Sequence, residues 1–267
     1  LKTSFWKSKA SALEMASASD TGRVRDHNED SVAVDVDYGL ALLADGMGGY
    51  NAGEIASGIT VALLMQGLKA RLTETTPTAY AVETLVREEV AKANSSVYHA
   101  AHTRPQCAGM GTTLVLAVFH DNQLISGHIG DSRLYRLRDG QFTQLTRDHS
   151  LLQEQIDQGI LSAEAAAQSY NKCLVTRALG MDPEVEVEVS THPVVPDDIY
   201  LLCSDGLTDM ASTDDIRDTL DLRSTNLAYA AQALIKLAND HGGRDNISVA
   251  LVQARNISPR ARVGRNY

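Results

Sequence analysis

Two apolar runs in this chain, "LALLADG" and "IYLLCSDG", each stop on an aspartate followed by glycine, at Asp45-Gly46 and Asp205-Gly206. Runs of this length bounded by turn signals read as core strands. A core strand that ends on a carboxylate carries a negative charge to the rim of the interior, where an isolated charge is costly and must be compensated. "ISGHIGDSR" repeats the device at Asp131, and "GGRDNISVALV" repeats it at Asp245 just before another apolar run. "VRDHNEDS" places Glu29 and Asp30 immediately ahead of the first hairpin. Taken singly, each of these is a common turn dipeptide. Jointly they call for a fold that gathers strand ends, and for a positive charge to sit among them.

No basic cluster lies near enough in sequence to pair with all of these acids, and carboxylates converging at one mouth suppress one another's ionisation. Divalent cations resolve the conflict. The donors are almost all oxygen, which favours hard ions, Mg2+ or Mn2+, over Zn2+ or Cu2+. Asp45 is placed to bridge two ions, and the Gly46 carbonyl to bind one. Two such ions about 3.5–4 Å apart activate a bridging water and clamp a phosphoryl group. Arg25, four and five residues before Glu29 and Asp30, offers a guanidinium fork for phosphate oxygens; on position alone a plain surface arginine is the alternative. The loop after Asp45 is not a nucleotide fingerprint. Gly46 and Gly48 fit the start of G-x-G-x-x-G, but Asn51 occupies the last position and no Gly-Lys-Ser/Thr follows.

A chain of 267 residues buries a core with ease. Its 24 basic against 34 acidic residues give a formal charge of −10, which argues against nucleic acid or an anionic membrane as partner. Cys107, Cys173 and Cys203 are widely spaced, fitting a reducing compartment and neither a disulfide framework nor a thiolate zinc site. Apolar stretches are too short to span a bilayer, and the N-terminus lacks the apolar stretch of a signal peptide. The expectation is a cytoplasmic protein, with tails at residues 1–12 and 255–267 around one domain at 13–254.

Along the chain, strands are expected at 31–35 and 39–44, and helices from 52 to about 72 and from beyond Pro77 to about 102. A meander follows at 112–119, 123–129, 133–137 and 141–146, with turns at Asp121-Asn122, Gly130-Asp131 and Asp139-Gly140. A polar helical insertion at 149–170 reads as a surface flap. Strands return at 184–189 and 199–203, helices at 213–220 and 227–239, and a last strand at 247–253. Strands in hairpins and helices in pairs describe an α+β domain of antiparallel sheets with helix pairs outside.

In order, "TGRVRDHNEDS", "LLADGMGG…AGEIAS", "GMGTTLVLAV", "GHIGDSRLYRLRDG", "LTRDHSL", "TRALG", "DIYLLCSDGLTD" and "GGRDNISVALV" resemble the metal-dependent protein phosphatase family (PPM, or type 2C), in its short bacterial stand-alone form. The resemblance implies a four-layer αββα sandwich with a small flap. It implies hydrolysis of phosphoserine and phosphothreonine by a water bridging two Mn2+ or Mg2+ ions, with no phosphoenzyme. Carried across, Asp45 bridges both metals, Gly46 offers its carbonyl, and Asp205 and Asp245 complete the other site. Glu29 and Asp30 order metal-bound waters, Arg25 holds the phosphate, and Asn246 supports Asp245 or such a water. Asp131, with Asp205, matches the position of a third, weaker metal. Met47 stands where many animal and plant members carry a proton-donating His, which leaves water as the acid. His27, His128 and His149 read as structural. The implied partners are phosphoproteins that are targets of a bacterial Ser/Thr kinase, with the enzyme acting as a monomer. Two rivals are a non-catalytic phosphate-reading module and a small-molecule phosphoesterase.

Overall fold

In β3 (Leu40–Met47), side chains alternate between two different apolar surroundings. Leu40, Leu42 and Ala44 lie in a cluster with helix residues such as Leu64, Leu68 and Val86, while Ala41 and Leu43 lie in another with Tyr200, Leu202 and Val252. Strand β10 (Ile199–Cys203) mirrors this, with Ile199, Leu201 and Cys203 toward helices and Tyr200 and Leu202 toward β3. A strand covered on both faces has no use for polar alternation, which explains the continuous apolar runs. Both sheets are antiparallel, and the second layer on each is supplied by helices rather than by solvent.

The computed structural model describes residues 12–49, 52–74, 78–162, 165, 174–223 and 225–255. One sheet runs β2 (Asp30–Asp35), β3, β5 (Leu114–His120), β6 (Gln123–Ile129) and β9 (Glu188–Pro193), with the short β4 (Gly111–Thr112) added to the end of β3. The other runs β1 (Leu13–Asp20), β11 (Ile247–Ala254), β10, β7 (Arg133–Arg138) and β8 (Gln141–Gln144). Helices α1 (Ala52–Glu74) and α2 (Ala79–Thr103) cover the first sheet. The short α3 (Leu151–Asp157) opens the insertion, and α4 (Asp205–Thr208) is a single turn after β10. Helices α5 (Thr213–Arg223) and α6 (Leu227–Asp240) cover the second sheet. The order helix, sheet, sheet, helix is the expected αββα sandwich. Thr78 caps α2, its hydroxyl accepting from Ala81 N at 3.3 Å, and Asn226 caps α6, its side chain accepting from Tyr229 N at 3.0 Å.

Four local readings change. Strand β3 does not stop at Ala44 but continues through Asp45 and Gly46 to Met47, because β4 supplies partners for Gly46 and Met47. The expected four-strand meander is split between the sheets: β5 and β6 pair in one, β7 and β8 in the other. Gly130-Asp131 is therefore a crossing between sheets and not a hairpin turn, and Gly130 takes φ +97°, a region that favours glycine. The strand expected at 184–189 forms instead at Glu188–Pro193, where β6 offers partners from Gln123 to His128; the acid/valine alternation before it reports Val185 and Val187 packing toward α1 and α2, without pairing. Strand β1, absent from the expected elements, forms the edge beside β11. The 1–12 tail except its last residue, residues 256–267, and 163–164 and 166–170 of the flap lie outside the described residues.

Candidate metal centre

Antiparallel pairing sets Asp30 directly opposite Asp45 at the end of the first sheet. Asp131 leaves that sheet at the crossing from β6, Asp205 follows β10, and Asp245 precedes β11. Three strand ends, one crossing and one turn thus deliver five aspartates to the same rim. Their proximity is visible in their chemistry. Burial pushes Asp45 well above the usual carboxylate range, with the charges of Asp30, Asp205, Asp131 and Asp245 adding to the rise. Burial does the same to Asp205, helped by Asp131, Asp209, Asp245 and Asp30. Asp30 rises to about 6 through burial, and Asp131 to about 6 through burial and the neighbouring Asp148. Glu29, half-buried, is also raised, chiefly by loss of solvent.

Five carboxylates in one place without compensation is an unfavourable arrangement. Partial hydrogen bonding does not remove the problem. Ser204 Oγ donates to Asp30 Oδ2 at 2.8 Å, but Asp30 Oδ1 and Asp205 Oδ1 are buried with no hydrogen-bond partner. Buried, unpartnered carboxylate oxygens at one rim have the chemistry of donors to a hard divalent cation. The arginine at the rim is Arg25, whose Nη2 donates to Asp245 Oδ2 at 2.6 Å, with both side chains substantially exposed. This ion pair is open to solvent and leaves Asp45 and Asp205 uncompensated.

The backbone around Asp45 is held by residues to which sequence reasoning assigned no role. Thr113 Oγ1 accepts from Asp45 N at 3.0 Å, and Thr112 Oγ1 and Thr113 N both donate to Asp45 O at 2.8 and 2.9 Å. Thr113 Oγ1 also lies 2.7 Å from Ser132 Oγ, next to Asp131. The two threonines of "GMGTT" thus brace both acids, a role visible only once β4 pairs with β3. Gly46 is glycine because a Cβ there would strike the Gly53 carbonyl, where α1 begins against β3. Asn246 binds the segment that carries Arg25 and Glu29: its Oδ1 accepts from Glu29 N at 2.8 Å, and its Nδ2 donates to Thr21 O and His27 O at 2.9 and 2.8 Å. Asp209, one turn beyond Asp205, adds a negative charge that sequence reasoning had not singled out.

A second group able to hold a divalent ion lies on the far side of the Gly130 crossing. His128, His149 and Glu188 offer one donor atom each, all within 4.8 Å of one another. The two histidines, read as structural from sequence, stack with ring centres 4.6 Å apart. Both are already engaged with the backbone: His128 Nε2 lies 2.7 Å from Arg147 O, and His149 Nδ1 accepts from Gly130 N at 3.2 Å. A ring nitrogen that donates to a carbonyl has no lone pair for a metal, so an ion here would have to displace the Arg147 contact or bind elsewhere on that ring.

Residues 22–238 match the protein phosphatase 2C family. The serine/threonine phosphatase Stp of Listeria welshimeri is 40% identical over 248 residues, 91% of this chain and 96% of its own length. The crystal structure of the Mycobacterium tuberculosis serine/threonine phosphatase PstP superposes with a TM-score of 0.84 at 38% identity, over 92% of this chain and all of that one. The PstP catalytic domain in complex with two manganese ions superposes with a TM-score of 0.81, also at 38% identity, over 92% of this chain and 99% of that one.

Proposed function

The chain belongs to the protein phosphatase 2C family and is a metal-dependent serine/threonine protein phosphatase, and we propose that the aspartate rim is where it works. The observation that carries this reading is the set of carboxylates that raise one another, with buried, unpartnered oxygens on Asp30 and Asp205. Asp45, Asp205, Asp245 and the Gly46 carbonyl would hold two Mn2+ or Mg2+ ions, as the PstP relative holds two manganese ions, and Asp131 with Asp205 would hold a weaker third. Bound ions of this kind lower the pKa of water and neutralise phosphoryl oxygens.

The protein's own groups do the rest. The exposed guanidinium of Arg25, which pairs with Asp245 at the rim, would fork onto the phosphate. Glu29 and Asp30, held by Asn246 and Ser204, orient water at the rim. Met47 has no proton to give, so the leaving seryl or threonyl oxygen takes its proton from water.

The substrates under this reading are phosphoproteins made by a bacterial Ser/Thr kinase, met by a monomeric cytoplasmic enzyme. The −10 charge supports protein rather than nucleic-acid or membrane partners, and no helix among the described residues is long and apolar enough to cross a membrane. The test compares a phosphothreonine peptide with a generic aryl phosphate, each with Mn2+, with Mg2+ and with chelator. Metal-dependent turnover favouring the peptide is expected. Turnover of the aryl phosphate alone would point to a small-molecule phosphoesterase, and turnover of neither with metal bound would point to a phosphate-reading module.

A further inference from the structure

Among the carboxylates of the rim, Asp131 is the one carried on a crossing between the two sheets. Something must hold that crossing. Gly130, the residue before it, cannot be stiffened by a side chain: it sits at φ +97°, and a Cβ would come within 2.7 Å of Thr113 Cγ2. Its two backbone groups are both taken by one residue. His149 N donates to Gly130 O at 2.9 Å, and Gly130 N donates to His149 Nδ1 at 3.2 Å. On the other side of Asp131, Ser132 Oγ meets Thr113 Oγ1.

His149 is itself fixed. It is buried and stacked on His128, and its Nε2 lies 3.4 Å from Glu188 Oε2. Because Nδ1 accepts from a backbone N–H, the neutral ring carries its proton on Nε2, which faces that carboxylate. The His149 carbonyl accepts from Thr176 N at 2.8 Å, and the next residue, Ser150, bridges to Val175. One histidine therefore joins the crossing before Asp131 to the start of the insertion and to the segment that follows it.

We propose that His149 is a positioning residue for the aspartate rim: by clasping both polar groups of Gly130 it fixes the approach of Asp131 to its cation, and it ties that position to the start of the insertion at Ser150 and to Val175 and Thr176 beyond it. The proposal rests on the reading of Asp131 as a metal-binding residue. Nothing in it requires His149 to touch substrate.

The test uses the full chain and three variants. His149→Asn keeps an acceptor close to the Nδ1 position, whereas His149→Ala removes it and His149→Gln moves it one bond further out. In metal-free protein, amide exchange at Gly130 is expected to quicken by about tenfold or more in the Ala and Gln variants and to stay near wild type in Asn. In Mn2+ titrations, the weakest binding step is expected to loosen by about 10- to 100-fold in Ala and Gln, with Asn restoring it. Turnover is expected to fall with that step, and His149→Ala is expected to add no further loss in an Asp131→Ala background. Unchanged Gly130 exchange, an additive loss in the double variant, or insoluble Ala and Gln proteins would overturn the proposal, leaving a purely structural histidine. Quickened Gly130 exchange with an Mn2+ isotherm unaltered by both His149→Ala and Asp131→Ala would overturn it too. That pattern would locate the failure in the metal reading of Asp131.

Discussion

Strand β10 has an aspartate at each end, Asp198 buried and Asp205 half-buried, and the two live in opposite chemical worlds. Before it, Asp198 is almost wholly buried and fully partnered: Arg138 donates to both of its oxygens at 2.6 and 2.7 Å, and Val195 N and Tyr200 OH donate to Oδ2 at 2.9 and 2.8 Å. Its carboxyl is held below the usual range despite the burial that opposes this. After β10, Asp205 has a buried oxygen with no partner and four acidic neighbours that raise it. A scaffold that can satisfy one buried aspartate so completely has left the other unsatisfied. The difference separates a carboxylate that holds the fold together from one that the proposed function assigns to a metal ion.

The sharpest way to break this comparison is to neutralise each in turn. Asp205→Asn is expected to reduce turnover by about three orders of magnitude or more, since the metal site loses a ligand, while the metal-free protein melts at the same or a higher temperature. Asp198→Asn is expected to do the reverse, leaving kcat intact but costing about 3 kcal/mol in denaturant unfolding, because Arg138 loses its buried partner. Equal loss of activity in both would erase the distinction.

The raised carboxyls of the rim and the lowered Asp198 also predict opposite responses to pH. Asp30 and Asp131, raised to about 6, bind protons more tightly folded than unfolded. Their contribution to stability is full below their unfolded value of about 4 and is lost as pH rises through about 6. Asp198, lowered, contributes above its unfolded value and loses that contribution as pH falls through its folded one. Metal-free protein is therefore expected to lose stability as pH rises from about 4 to about 7. Mn2+ is expected to raise the melting temperature more at pH 8 than at pH 5.5. Calorimetry at both values, with and without Mn2+, reads this directly; a metal effect independent of pH would contradict it.

A smaller effect is expected of Asp131→Ala: about a tenfold to hundredfold fall in turnover with the two tighter Mn2+ binding steps kept. Loss of all Mn2+ binding would mean that the acids do not divide their labour as proposed. The smallest is Arg25→Ala, expected to raise KM for a phosphopeptide severalfold with little change in kcat. Its exposed pair with Asp245 makes a stability change above about 1 kcal/mol unexpected.

Much of this architecture is legible in the amino-acid sequence. The apolar runs ending in Asp45 and Asp205 announce strands covered on both faces, because a strand with one face in water alternates apolar with polar residues. The residues that brace the acids are not legible there. Thr112 and Thr113 act on Asp45 only because β4 joins β3, and a two-residue strand has no periodicity to read. Asp198 looks like a turn residue beside Asp197, and its role depends on Arg138, which is 60 residues away in the chain. Gly130-Asp131 carries the signal of a turn, but nothing local tells a hairpin from a crossing between sheets. Local pattern reveals which residues are buried; which partners they find is decided by pairings distant in sequence.

The most direct test of the central claim is an anomalous difference map recorded at the manganese edge from crystals soaked in Mn2+. The account predicts peaks among Asp45, Asp205 and Asp245, with a weaker one beside Asp131. Peaks confined to His128, His149 and Glu188, with none at the aspartate rim, would contradict it.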